Sequence, residues 1–238
     1  MKTICARILA LVVGGLTLSH AGAQGTFLNL DFELSLGPFF PSGDPPSVPF
    51  SEAFPGWVGY VGTNQATSAR INNIDLDVAV IALISMNVTN SSSAPLIEGG
   101  YTAVLQAQVD PLHPPNSHPL VPVALAQSSL VPVDSRSLLF KGYTAGTPFT
   151  LTLGGVDIPV FALETFPSYT LYGGDITSFA GSIAELRFTA FPDNYPHSTV
   201  FALDSIEFSI QPIPEPGTIC LFGLCALLLG WRFQYKRP

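Results

Sequence analysis

Between residues 24 and 211 no apolar pattern persists at helical spacing. Short runs rich in Val, Ile, Phe, Tyr and Thr are instead cut at close intervals by clusters of Gly, Pro, Asn and Ser, the signature of strands and turns. Candidate strands cover residues 26–33, 56–61, 77–85, 101–109, 123–129, 137–143, 149–153, 158–163, 168–172, 185–191 and 200–210. Phe149-Thr150-Leu151-Thr152-Leu153 alternates cleanly, as a strand with one buried face requires. One short helical turn is expected at 176–180, with Asp175 as its N-cap and Gly181 as its stop. About ten strands in one domain of this size predict an all-β fold, a single jelly-roll-like β-sandwich. Two proline-rich stretches, 35–49 and 110–122, read as surface loops.

Both ends of the chain differ from this body. Lys2 and Arg7, an apolar stretch at 8–18 and Ala21-Gly22-Ala23 form a secretory signal peptide over 1–23. At the other end, Pro212, Pro214 and Pro216 keep the backbone extended. An apolar run at 218–231 follows, about 21 Å long as a helix, against a hydrocarbon core of about 30 Å. Trp231, Phe233, Tyr235 and the snorkelling Arg232 lengthen its effective span, and Lys236 and Arg237 set a cytoplasmic carboxyl terminus. A transmembrane helix is therefore expected at 218–231. The order Pro214-Glu215-Pro216, short apolar helix, basic tail resembles the PEP-CTERM sorting signal of Gram-negative bacteria. That resemblance implies an exported protein, transiently membrane-anchored, processed by an exosortase and tied to extracellular polysaccharide. A GPI-type signal would end on its apolar stretch, and a Gram-positive sortase signal would show Leu-Pro-x-Thr-Gly. Sequons begin at Asn87 and Asn90, short patterns in a Ser-rich segment.

Removing both signals leaves a domain at 24–211 without cysteine, since Cys5, Cys220 and Cys225 all lie outside it. Its stability must come from burial rather than disulfides. It carries sixteen Asp plus Glu against four Lys plus Arg, hence 4 − 16 = −12. That balance argues against nucleic acid and anionic lipid as partners. It suits divalent cations, and equally a merely solubilising surface.

The two ends of the domain carry a second likeness. Asn29-Leu30-Asp31-Phe32-Glu33 opens it, Pro55-Gly56-Trp57 follows, and Leu203-Asp204-Ser205-Ile206-Glu207-Phe208 closes it. This is similar to the galactose-binding-like jelly rolls, which include many carbohydrate-binding modules. The likeness implies that the ends meet and that Glu33 and Asp204, with Asp31, are ligands of a structural calcium. Leu30 stands where that family usually has glycine. Independently of any family, the apolar phase of the last strand switches from Phe201 and Leu203 to Ile206, Phe208 and Ile210, as a β-bulge at Asp204-Ser205 would produce.

Trp57 offers a flat face for sugar stacking, or else fills the core. His113 and His118 share a proline-rich loop and His197 stands apart, a poor zinc set without cysteine. Asp75 and Asp77 would share a strand face, as a glycosidase pair or as ordinary surface acids. No G-x-S-x-G, H-E-x-x-H or phosphate loop occurs. No catalysis is expected. The reading is an exported cell-envelope or extracellular-matrix protein, structural or weakly glycan-binding. Its alternatives are a calcium-dependent carbohydrate-binding module and a glycan-active hydrolase.

Overall fold

The computed structural model describes residues 26–35, 37, 47–74, 78–85, 94–111, 119–193 and 199–213. The expected leader, the apolar run at 218–231, Pro214-Glu215-Pro216, both sequons, Asp75, Asp77, His113, His118 and His197 lie outside the described residues.

Fifteen strands form among them. In chain order they are β1 (Ser47–Pro49), β2 (Val58–Val61), β3 (Asn64–Gln65), β4 (Ser68–Ile71), β5 (Val80–Ser85), β6 (Tyr101–Val109), β7 (Leu120–Val121) and β8 (Val123–Leu130). There follow β9 (Ser137–Thr144), β10 (Phe149–Leu153), β11 (Val156–Ile158), β12 (Phe161–Thr165), β13 (Thr170–Asp175), β14 (Ile183–Ala190) and β15 (Thr199–Ser209). A single turn of helix, α1 (Phe50–Ala53), joins β1 to the loop before β2. A 3-10 turn at Thr177–Phe179 follows β13; Ile176 holds its N-cap position, and Asp175, one residue earlier, accepts the Thr177 N–H at 2.8 Å.

The strands make two sheets. A nine-stranded sheet runs β1-β4-β5-β6-β15-β9-β13-β12, with β7 paired to β6, and a six-stranded sheet runs β11-β10-β14-β8-β2-β3. Pairing between these strands is antiparallel except for β4 with β5. The two sheets share one apolar core, whose fully buried members include Leu105, Phe140 and Phe201 from the larger sheet and Leu125, Leu153 and Phe188 from the smaller. In β14 exposure alternates residue by residue, which places Ala184, Leu186, Phe188 and Ala190 inward. β6 breaks that rule and is buried from Thr102 to Gln108. The reason is a second, smaller cluster on its outer side, where Val104 packs with Ala82, Ile84, Ala94, Val200 and Ala202.

Two expectations need correction. Residues 26–33 form no strand; turns and loop occupy the segment, with left-handed backbone at Asn29 (φ 54°) and Phe32 (φ 60°) that ladder pairing cannot accommodate. The expected strand at 158–163 is two strands. Pro159 cannot donate to a ladder, and the chain crosses there from β11 in the smaller sheet to β12 at the edge of the larger. The β-bulge is present as expected: pairing of β15 with β9 shifts between Asp204 and Glu207, and Ser205 takes φ 47°.

Candidate functional site

The opening segment is held by side chains rather than by a ladder. Asn29 is its hub, accepting the Leu34 N–H at 2.8 Å on Oδ1, donating from Nδ2 to the Pro55 carbonyl, and receiving the Trp57 indole N–H at 3.0 Å on its own carbonyl. Gln127 grips Leu28 from both sides, accepting its N–H at 2.6 Å and donating to its carbonyl at 2.9 Å. These bonds seat Phe27, Leu30 and Phe32 in the core, where Phe32 meets Trp57 at 5.7 Å between ring centroids. Trp57 is therefore a core residue. At 4 % exposure it presents no face to a sugar, which corrects its reading as a stacking platform.

The two ends of the domain meet. Ile206 donates its N–H to the Leu30 carbonyl at 2.9 Å, released for that contact by the bulge, and Phe27 lies 4.9 Å from Phe208. Three carboxylates gather beside this junction: Glu33 and Asp204 grip the segment that leads into β6, and Glu98 belongs to that segment. Glu33 accepts the N–H groups of Gly100 at 2.7 Å and Tyr101 at 3.1 Å. Asp204 accepts the Glu98 N–H at 3.2 Å and the Thr102 hydroxyl at 2.8 Å on one oxygen, and the Ser205 N–H at 2.7 Å on the other. Glu98 in turn accepts the Ser205 hydroxyl at 2.6 Å and pairs with Lys141. Glycine is required for this packing. A Cβ at Gly99, whose φ is +61°, would stand 2.2 Å from Glu33 Oε1.

Burial pushes the Asp204 carboxyl up to about 7, opposed by the hydrogen bonds from Thr102, Ser205 and Glu98 and reinforced by the Glu98 charge. The Lys141 and Ser205 hydrogen bonds hold Glu98 below its ordinary value. Asp31 stands apart and accepts the Glu33 N–H at 3.2 Å in its own turn. Calcium would need carboxylate and carbonyl oxygens converging on one point. Here the Glu33 and Asp204 oxygens meet N–H and O–H donors, and no three His, Cys, Asp or Glu side chains among the described residues are placed to hold a metal. The seam does not fit a calcium cage, and no chemistry is drawn through one. Glu98 and Lys141 were not singled out by sequence, although Glu98-Gly99-Gly100 marks a tight approach immediately before a strand.

A second feature lies at the open side of the sandwich. An open cleft of about 490 Å³ is lined by Thr147, Phe149, Thr150, Asp157, Val160 and Tyr172, among others. Its aromatic wall is rigid: Phe149 stacks on Phe201 at 4.3 Å and 6°, and Tyr172 stacks on Phe140 at 5.3 Å and 20°. Phe149 and Tyr172 are half-buried, with part of each ring facing outward. The Thr147 hydroxyl oxygen is buried without a hydrogen-bond partner among the described residues. Asp157 is exposed at the rim and is the sole carboxylate among the lining residues described. Aromatic faces beside a carboxylate and hydroxyls can hold a pyranose by its apolar face and its edge.

A model of the PEP-CTERM protein-sorting motif matches residues 212–237. The chain carries a PEP-CTERM motif. Its match begins three residues after β15 ends and does not extend into the sandwich. The motif implies export to the cell envelope and processing by an exosortase. No helix among the described residues is long and apolar enough to cross a membrane, and the run at 218–231 lies outside them. No curated protein and no solved structure matches the chain significantly.

Proposed function

We propose that this chain is a structural protein of the cell envelope or extracellular matrix, sorted by its PEP-CTERM motif, whose sandwich binds extracellular polysaccharide weakly through the cleft lined by Phe149 and Tyr172. The observation that carries the proposal is the sorting motif placed directly behind a folded β domain free of cysteine. Residues 1–23 serve as leader, and 218–231 anchor the precursor in the membrane until an exosortase releases it. The jelly-roll likeness rests on the junction of the opening segment with β15. A single rim carboxylate supports binding over hydrolysis, because glycosidases use two, roughly 5 to 10 Å apart.

The test is a glycan array probed with the exported, processed protein, with and without calcium. Retention on acidic or neutral polysaccharide, lost on Tyr172→Ala, is expected in both conditions. Retention that needs calcium would favour the calcium-dependent module instead. Release of shortened glycan would favour a hydrolase.

A further inference from the structure

After β15 the chain does not leave the domain. The Ser209 carbonyl accepts the Arg136 N–H at 2.8 Å, and the Gln211 carbonyl accepts the Ser137 hydroxyl at 2.7 Å. Ile213 then lies across the outer face of the larger sheet, over Gly173 in β13. Gly173 is buried in the middle of a strand and has no positive φ that would call for glycine. What it supplies is space. A Cβ there would stand 2.5 Å from Ile213 Cδ1, 2.9 Å from Leu163 Cδ1 and 3.0 Å from Leu139 Cδ2. Gly173 pairs with Leu139 of β9 on one side and with Phe161 of β12 on the other, so the missing side chain opens a notch with apolar walls. Leu163 keeps 38 % of its surface exposed, as one rim of a shallow seat would.

The sorting motif starts at residue 212, so its first two residues belong to the folded body. We propose that the Gly173 notch is a docking site for the motif itself. Ile213, seated against Leu139 and Leu163, latches the entry of the motif to the sheet, and its release limits how fast a processing enzyme engages the prolines that follow. A protease needs an extended strand free of its own domain on both sides of the bond to be cut. With Ile213 seated, the residue just before those prolines is held on the sheet face; with Ile213 released, it is free. The processing rate then scales with the released fraction. This inference rests on the reading of the chain as an exosortase substrate and adds a control within the sandwich.

The experiment uses the full-length precursor in an exporting host that has an exosortase, followed by intact mass over time. Leu163→Ser removes one wall of the notch and leaves the motif untouched. It should speed processing by roughly three- to tenfold with the unfolding midpoint nearly unchanged. The opposite arm pairs Gly173→Cys with Ile213→Cys in a chain whose Cys5, Cys220 and Cys225 are serine. Oxidation should join the two, because a Cβ at position 173 would stand 2.5 Å from Ile213 Cδ1, which puts the side chain of residue 213 in the notch beside it. Processing should then stall until reductant is added. Absence of the cross-link in folded protein would overturn the docking. Equal processing of the oxidised and reduced forms would overturn the latch. The cross-link is read without any processing, so its outcome is independent of the sorting reading, which fails if the unaltered chain is not processed at all.

Discussion

The acidic seam and the aromatic cleft divide polar satisfaction unequally. In the seam each carboxylate meets donors: Glu33 takes two N–H groups, Asp204 two N–H groups and a hydroxyl, and Glu98 an ammonium and a hydroxyl. In the cleft the rings are only half-buried, Asp157 stands in solvent and the Thr147 oxygen has no partner among the described residues. Buried polar groups that are all paired specify one conformation, whereas half-buried rings at an open cleft leave apolar surface that is not yet covered. The seam therefore maintains the fold, and the cleft is the site proposed for a ligand. Sequence alone suggests the reverse, because the acids stand in a family-like pattern while Phe149 and Tyr172 look like ordinary strand residues.

The sharpest way to break this comparison is Asp204→Ala. Three donors lose their acceptor in a buried site, and a loss of about 4 kcal/mol at pH 5 is expected by urea denaturation. Tyr172→Ala should cost less stability and leave the junction of the two ends intact. If Asp204→Ala proved as mild as a surface change, the seam would not be structural.

The pH dependence follows with an effect of similar size. The Asp204 pKa is raised in the fold from 3.8 to about 7, so the folded state binds the proton more tightly than the unfolded chain. Its contribution is fully present below about 3.8 and is lost as pH rises through about 7, on the order of 4 kcal/mol across that window. Glu98, shifted downward, acts in the opposite sense as pH falls below its ordinary value. Asp204→Asn should flatten the decline between pH 4 and 7. A profile unchanged by that substitution would remove Asp204 as its source.

Smaller effects sharpen the contrast. Asp157→Ala and Tyr172→Ala should each weaken polysaccharide retention roughly tenfold, about 1.4 kcal/mol, whereas Glu33→Gln should leave retention unchanged. Calcium at millimolar concentration should move the unfolding midpoint by less than about 1 °C, because no free carboxylate pair in the seam awaits it. A rise of several degrees, abolished by chelator, would restore the ion at Glu33 and Asp204.

Much of the sheet was legible because long strands repeat their pattern. The limits of β6 and β10 coincide with the apolar run at 101–109 and the alternating run at 149–153, and the phase switch after Leu203 located the bulge. The opening segment misled because Phe27, Leu30 and Phe32 are buried in either reading, and apolar spacing cannot tell a ladder from a plug pinned by Asn29 and Gln127. β1, β3, β4 and β7 span only two to four residues each, too few for a period to emerge. The seam stayed hidden for another reason. Asp204 and Thr102 lie 102 positions apart, and nothing local to either residue names its partner.

The placement of β15 has a consequence for the order of events during secretion. It is the last strand made, yet it sits inside the larger sheet between β6 and β9. A chain threaded outward from its amino terminus delivers β1-β4-β5-β6 and β9-β13-β12 of the larger sheet first, as two half-sheets with open edges facing each other. Only when residues 199–209 emerge can the two be joined and Asp204 reach Thr102. The apolar run begins only nine residues beyond Ser209. On the reading of 218–231 as the anchor, completion of the larger sheet and arrest of the chain fall at nearly the same moment, and a chain truncated before β15 would lack the strand that joins the two halves of that sheet.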